Sequence, residues 1–545
     1  MEQAHRLLRF VLIALIVFAL FEASSSAALG QGYGHYLPPN HINPHSLSQA
    51  AQGWWFGPAL PPAVPSLRPP FSSSAITTNV DADNPNLDVA PGQSETAIAA
   101  AGNLVMEAWN DASTFFIQPS TDPQASGTGV AFSSDGAQSF TDLLGLPNSN
   151  PNQKWAGNPS VVAVENGKYF IIGSIYADVY PYDCNNGPAQ FAIALSVATI
   201  NSNSVHFTSP IIAATGGDAC SPGGQTALLD EPFMSYDPLT RTLAVTYNRH
   251  FFYPGSGKGQ IEVVTAIVPP SPAHLSSVNF TAPVVIWPEE SVYENAGVFP
   301  ALAYNSSTGR DDIYTVWERN WITNQTDGNP YVYIQAAVVS LGEFGPSNLG
   351  PVIGGPSSPI VVTKGQANSL NGGVKSLDLV PVTGFNATAN DFPRVAWDSK
   401  RNQVVIVWGD ASNHPLGDIY MRAYTTRFAK AGPIERVNDD DSGAVHMQPA
   451  VCVQTDGSIV TSWYDRRNYP PGSASTDYYG EVRSNPTTNG VDFQINTVSS
   501  DWLLDSSAMI PNFGDYTDSA CTGKKVFFTW SDGRLGFPQP FVAAK

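Results

Sequence analysis

The side chains best suited to chemistry in this sequence are charged groups set two places after an aromatic residue. They occur in MEAWNDA at Trp109, GSIYADV at Tyr176, AVTYNRH at Tyr247, YTVWERN at Trp317, VIVWGDA at Trp408, VTSWYDRRN at Trp463 and FFTWSDGR at Trp530. The charges are Asp111, Asp178, Arg249, Arg319, Asp410, Asp465 and Asp532. Carboxylates can serve as general acids or bases, and guanidinium groups can grip a carboxylate or sulfate through two parallel hydrogen bonds. The competing reading of any acid–arginine pair is that it ties neighbouring repeats together. Residues that break the pattern are therefore the better functional candidates: His250 beside Arg249, Glu318 beside Arg319, His446, the doubled Arg466 and Arg467, and Tyr516 in FGDYTDS. Arg534 joins Arg249, His250, Arg319, His446, Arg466 and Arg467 as a ligand-binding candidate.

Something must position these groups, and the spacing says what. The aromatic residues follow one another at intervals of 67, 71, 70, 91, 55 and 67 residues, which identifies an internal repeat. Before each aromatic strand lies an apolar segment, as in NPSVVAV at Asn158, EPFMSYD at Glu231, FPALAYN at Phe299, FPRVAWD at Phe392 and QPAVCVQ at Gln448. A third segment follows (FAIALSVA, IEVVTAIV, VYIQAAVV, DIYMRAY), then a fourth, where HFTSPIIA at His206 matches NFTAPVVI at Asn279. Four antiparallel strands repeated seven times predict an all-β fold, a seven-bladed β-propeller of four-stranded antiparallel blades. A Gly/Ser/Pro-rich insertion over 341–390 explains the long fourth interval. Only one strand remains after FTWSDGR, so AITTNVDA at Ala75 is expected to close the last blade and remove an exposed edge. If first strands start on one face, second strands end there. That puts Glu95, Asn158, Glu231, Asp391, His446 and Asp515 around the same mouth as the charged signatures.

Length and composition bound the rest. The chain has 545 residues, 46 Gly, 45 Pro and 11% aromatics, with no long helical pattern. Residues 1–28 read as a signal peptide: Arg6 and Arg9, an apolar run over 10–21 too short to span a bilayer, then SSSAALG. No other segment is apolar enough to span, so the mature chain is expected to have no transmembrane segment and a secreted or extracytoplasmic location. Residues 29–74, with GWWFGPALPPAVPSLRPP, read as a Pro-rich linker or arm, and 75–545 as the propeller. A formal net charge of −20 without a basic stripe argues against nucleic acid. The expected partner is a glycan or an extracellular protein. No cofactor is called for, except that Asp439, Asp440 and Asp441 in VNDDDSGAVH could hold Ca2+ through oxygen ligands or could be a solvated turn. Export makes disulfides available, with Cys184–Cys220 the first pairing and Cys452–Cys521 a second, two buried thiols being its alternative.

In the first repeat, FSSDGAQSF resembles the Asp-box of bacterial neuraminidase repeats, with Ser133, Asp135, Ser139 and Phe140 matching and Ala137 in place of a glycine. With the aromatic and Asp-x-Arg signatures, the chain resembles the sialidase-like propeller superfamily over about residues 75–545. In that family the box is a structural hairpin, its Asp bonding backbone amides. The resemblance implies a carbohydrate-active alternative, an exo-glycosidase of sialidase type or a polysaccharide lyase on the same face. A retaining sialidase would need three arginines on the substrate carboxylate, a tyrosine nucleophile activated by a glutamate, and an aspartate as acid/base. Arg249, Arg319, Arg466, Arg467 and Arg534 are available for the grip, and Tyr516, Tyr464, Glu318 and Asp465 are the catalytic candidates. The Arg-Ile-Pro type opening of the family's first blade is absent; the chain reads SETAIAAA there, with Glu95.

Overall fold

The structure, a computed structural model, describes residues 79–86, 92–112, 126–150, 153–177, 190–201, 204–218, 227–251, 259–277, 279–290, 293–321, 332–341, 349–364, 379–382, 385–388, 392–410, 414, 417–470, 473–502 and 513–545. Seven antiparallel sheets follow one another along the chain, each built outward in sequence order. Their first strands are Gln93–Ala101, Ser160–Val164, Ala227–Asp237, Tyr293–Asn305, Arg394–Asp398, His446–Val453 and Asp518–Thr522. Each of these packs against the next and the last against the first, so they form the inner ring of a seven-bladed propeller.

The second strands carry the aromatic signature: Leu104–Asp111, Tyr169–Ala177, Thr242–Phe251, Arg310–Trp321, Gln403–Asp410, Ile459–Asp465 and Lys525–Asp532. Side chains alternate across a strand, and here the alternation is put to a consistent use. The aromatic faces the preceding blade: Trp530 packs with Met447 and Tyr478 of blade six, Trp463 with Val407 and Met421 of blade five, and Trp317 with Ile261 and Ile286 of blade three. The residue after the aromatic points the other way, toward the following blade. Asn110 accepts the backbone N–H of Asn158 at 2.7 Å, and the Tyr464 hydroxyl donates to the Ser531 carbonyl at 2.8 Å. Seven apolar cores result, one in each gap between blades. Gly129 stands opposite Trp109 in the register, and a Cβ there would come within 2.4 Å of the indole.

The insertion in the fourth repeat is not plain loop. Ile360–Lys364 pairs with the third strand of blade four, and Leu379–Val382 forms a hairpin with Phe385–Thr388. In blade seven the outer strand comes from the other end of the chain. Val80 and Asp81 pair antiparallel with Val542 and Phe541, and the Ala82 N–H bonds the Pro540 carbonyl at 2.9 Å. The rest of the expected closing segment, 75–78, lies outside the described residues, as do the signal and the Pro-rich arm. Among the described residues no helix is long and apolar enough to cross a membrane. At the turn after Thr128–Ser133, the Asp135 carboxylate accepts the backbone N–H groups of Gln138 and Ser139 at 2.9 and 3.0 Å and the Ser139 hydroxyl at 2.6 Å. Burial opposes ionisation, but the bonds from Ser139, Ser133 and Gln138 together outweigh it and bring this carboxyl down to about 2.

Candidate functional site

The first strands do not enter the ring straight. The ladder slips between Ser94 and Ala97, Asp230 and Phe233, Ala296 and Phe299, and Met447 and Ala450. Within these bulges Glu95, Glu231 and Gln448 adopt φ of 52°, 52° and 51°, and Gly297 65°. Positive φ is uncommon for residues with a Cβ, and such strain collects where a side chain must be re-aimed. Here it turns carboxyl groups inward. Asn110 Nδ2 donates to Glu95 at 2.6 Å, Asn158 Nδ2 to Asp230 at 2.7 Å, and Asn248 Nδ2 to Glu231. Burial, then the neighbouring Asp515 carboxyl, pushes the Glu95 pKa well above its ordinary value. Burial and Asp230 do the same to Glu231.

Beside them lies a buried arginine. Arg394 of blade five, 2% exposed, lies 5.1 Å from the Phe233 ring, 4.9 Å from Phe299 and 5.5 Å from Tyr516. Those rings come from blades three, four and seven, so four blades meet on one guanidinium. The Tyr516 hydroxyl donates to the Pro159 carbonyl of blade two at 2.9 Å. Neither Glu95 nor Asp515 needed the structure to be noticed, since both stand just before an apolar run, Glu95 in the bulge at the start of its first strand and Asp515 ahead of Asp518–Thr522. Arg394 and Asp230 were missed, although an arginine inside FPRVAWD was the available signal.

The sequence-derived candidates separate by partner. Arg249 is bidentate on Glu262 at 2.9 and 3.0 Å, and Arg319 is bidentate on Glu290 at 2.7 and 2.6 Å. Arg534 closes on Asp532 at 2.9 and 2.6 Å. Arg467 joins Asp465, Asp439 and Asp492 at 2.7, 3.1 and 2.6 Å. His250 and Glu318 are buried. Tyr516 and Tyr464 are buried too, with hydroxyls committed to backbone carbonyls and burial raising both phenols, so neither stands where a substrate would meet it. Arg466 is different. It is 6% exposed, its Nη2 has no hydrogen-bond partner, and burial lowers its pKa to about 10.

The three consecutive aspartates that could hold Ca2+ or form a solvated turn face different partners. Asp439 faces Arg467, Asp441 is 84% exposed and pairs with Arg436, and only Asp440 turns inward to His446. Alternation at a turn sends neighbouring carboxylates in different directions. His446 Nε2 lies 2.9 Å from Asp440 Oδ1 and 3.5 Å from Asp465 Oδ2. Burial opposes charge on the ring, yet Asp440 and Asp465 hold its pKa above the ordinary value. Cys452 and Cys521 form a disulfide between the first strands of blades six and seven, with Cα atoms 5.6 Å apart. Cys184 and Cys220 lie outside the described residues, as do Asp178 and Asp391.

No family model matches the chain, and no curated protein matches its sequence. Among solved structures it is similar to an α-L-arabinanase from Penicillium chrysogenum complexed with arabinobiose, at 12% identity over 87% of this chain and 98% of that one, with a TM-score of 0.41. A Hadza microbial sialidase shares 10% identity over 77% and 73% of the two chains, with a TM-score of 0.39. A sialidase from Trypanosoma rangeli in complex with the inhibitor DANA shares 10% over 72% and 56%, with a TM-score of 0.36. The blades and their order define the class of this protein, an all-β seven-bladed propeller.

Proposed function

We propose that this is an exported propeller whose charged mouth binds a glycan bearing an isolated anionic group, gripped by Arg466. The supporting observation is that guanidinium, buried beside the end of a second strand with one nitrogen unpartnered. The other four candidate arginines are each closed on a carboxylate. An unpaired buried charge is costly, and a ligand carboxylate or sulfate would remove that cost. A net charge of −20 disfavours polyanions at long range, which leaves a glycan with one acidic group as the better fit. Export accords with a disulfide in the fold. A glycan array tests the reading: acidic glycans should bind, and Arg466→Ala should weaken them about 30-fold, near 2 kcal/mol for breaking a hydrogen-bonded charge pair. An array with no bound glycan sinks it, and would turn the search to extracellular proteins.

A second reading, a carbohydrate-active enzyme on the same face, is favoured by the neighbouring carboxyls of Glu95 and Asp515, the first with its pKa raised by burial, since glycoside hydrolysis employs a pair of carboxyl groups. The complete burial of Glu95 sets this reading second. Its test is turnover of fluorogenic sialosides or a polysaccharide panel; turnover retained by a folded Glu95→Gln variant rules out that assignment.

A further inference from the structure

We infer that His446 Nε2, together with the carboxylates of Asp440 and Asp465, forms a binding site for a divalent transition-metal ion of the zinc or manganese kind. This does not rest on the glycan reading. His446 opens the first strand of blade six, and Asp465, its direct cross-strand partner, ends the second; Asp440 comes from the loop before. One ligand atom from each lies within 4.8 Å of the others. The imidazole is held by its far side, where Nδ1 meets the Gly417 carbonyl at 2.9 Å. That contact holds the ring by Nδ1 and directs Nε2 at two carboxylates, the outer-shell arrangement that orients metal-ligating histidines.

Nε2 is buried and has no aligned hydrogen bond, although oxygens stand 2.9 and 3.5 Å away. Two ligand atoms on a tetrahedral ion with bonds of about 2.1 Å sit about 3.4 Å apart, so the spacing needs little adjustment. The carboxylates are themselves oriented by donors. Trp463 Nε1 donates to Asp465 at 2.8 Å, and Asn438 Nδ2 donates to Asp440 Oδ1 at 3.1 Å and to Asp418 at 3.0 Å. Five carboxyl groups, of Asp418, Asp439, Asp440, Asp465 and Asp492, gather around His446 against the one guanidinium of Arg467, whose Nη2 lies 3.2 Å from Asp440 Oδ1 and 2.7 Å from Asp465 Oδ2. An imidazole nitrogen in the set argues for a transition ion over Ca2+, which takes oxygen ligands. The Asp440 side chain is 14% exposed, which leaves a way in from solvent.

The experiment uses the full mature chain, stripped with a chelator and titrated calorimetrically with Zn2+ and with Mn2+. One ion per chain should bind, with a rise in melting temperature. Asp440→Asn should weaken binding by about 100-fold or more, beyond the range usual for losing an outer-shell group, while keeping the metal-free melting temperature. Should that variant fold poorly, X-ray absorption of the Zn2+-loaded wild type decides instead: an imidazole in the first shell supports the site. No binding, unchanged binding by a folded Asp440→Asn, or a first shell without imidazole overturns it.

Discussion

Trp530 donates its indole N–H to the carboxylate of Asp532, two residues along the same strand face, at 2.7 Å. Trp463 and Asp465 repeat this at 2.8 Å, and Trp408 and Asp410 at 3.3 Å. Arg534 and Arg467 then close on the same carboxylates from two residues further on. In blades five, six and seven the signature is thus a clasp within one blade, a large apolar body for the gap before it and a carboxylate that satisfies the buried indole, whereas in blade one Trp109 Nε1 has no such bond although Asp111 stands two places on. In blade four no acid stands two places on, and Trp317 finds Asn295 instead at 3.1 Å.

If the clasp stabilises the blade, removing its acceptor must be expensive. Asp532→Ala should cost about 3 kcal/mol, because it strands both a buried indole N–H and Arg534. Asp532→Asn, which keeps an acceptor, should cost less. Urea denaturation measures both, and a loss under about 1 kcal/mol for the alanine variant would show that the clasp is incidental.

The pairing of Val80 and Asp81 with Val542 and Phe541 is accompanied by contacts of Asn79. Its side chain donates to the Ile495 carbonyl at 3.0 Å and accepts from Thr497 at 2.6 and 2.8 Å and from Arg534 at 2.9 Å. A chain beginning after Ala82 should melt several degrees below the parent, since it loses the outer strand and exposes the edge of Gln539–Ala544. Asn79→Ala should reproduce a part of that loss. Equal melting temperatures in a thermal scan would mean that the strand adds nothing to closure.

The Cys452–Cys521 bond encloses a separation of 69 residues. In the chain-entropy account a loop of that length contributes about 4 kcal/mol. The double Cys452→Ala, Cys521→Ala variant should unfold at clearly lower denaturant than the oxidised parent, and reductant should shift the parent further than it shifts the variant. A variant as stable as the oxidised parent refutes this.

Glu107 of blade one accepts a hydrogen bond from the Thr529 hydroxyl of blade seven. Burial raises its pKa from an ordinary 4.5 to about 8; the bond from Thr529 opposes this and Asp81 adds to it. The folded state therefore keeps a proton that the unfolded state has already released. Its contribution is fully present below about pH 4.5 and is lost as pH rises toward 8, at about 1.4 kcal/mol per pH unit at most. Glu107→Gln removes that dependence, so its stability relative to the parent should improve from pH 5 to pH 8.5. A relative stability that stays flat across that interval contradicts the assignment.

The blade count and most strands were legible in the sequence, because each blade repeats the same local demands. An apolar strand, a turn, and an aromatic facing one way with a polar residue facing the other can be read within thirty residues or so. Even the bulge residues that turn Glu95 and Glu231 inward stand at a recognisable place, just before the apolar run. The Asp439–Asp441 run shows the limit of that local view, since one carboxylate of the three turns to His446 and the others face arginines.

What the tertiary structure alone decided is which charges are satisfied. Arg249, Arg319, Arg466, Arg467 and Arg534 look alike as letters, yet four are closed on carboxylates and one is not. Arg319 finds its partner 29 residues away, and the Ile98 N–H finds Asp518 at a separation of 420. The meeting of Arg394 with Phe233, Phe299 and Tyr516 exists only once the ring has closed. Strand pattern is set by neighbours in the chain and so is written in it. The partner of a buried charge is set by neighbours in space, and it is their desolvation and pairing that determine whether a group holds the fold together or remains free for a ligand.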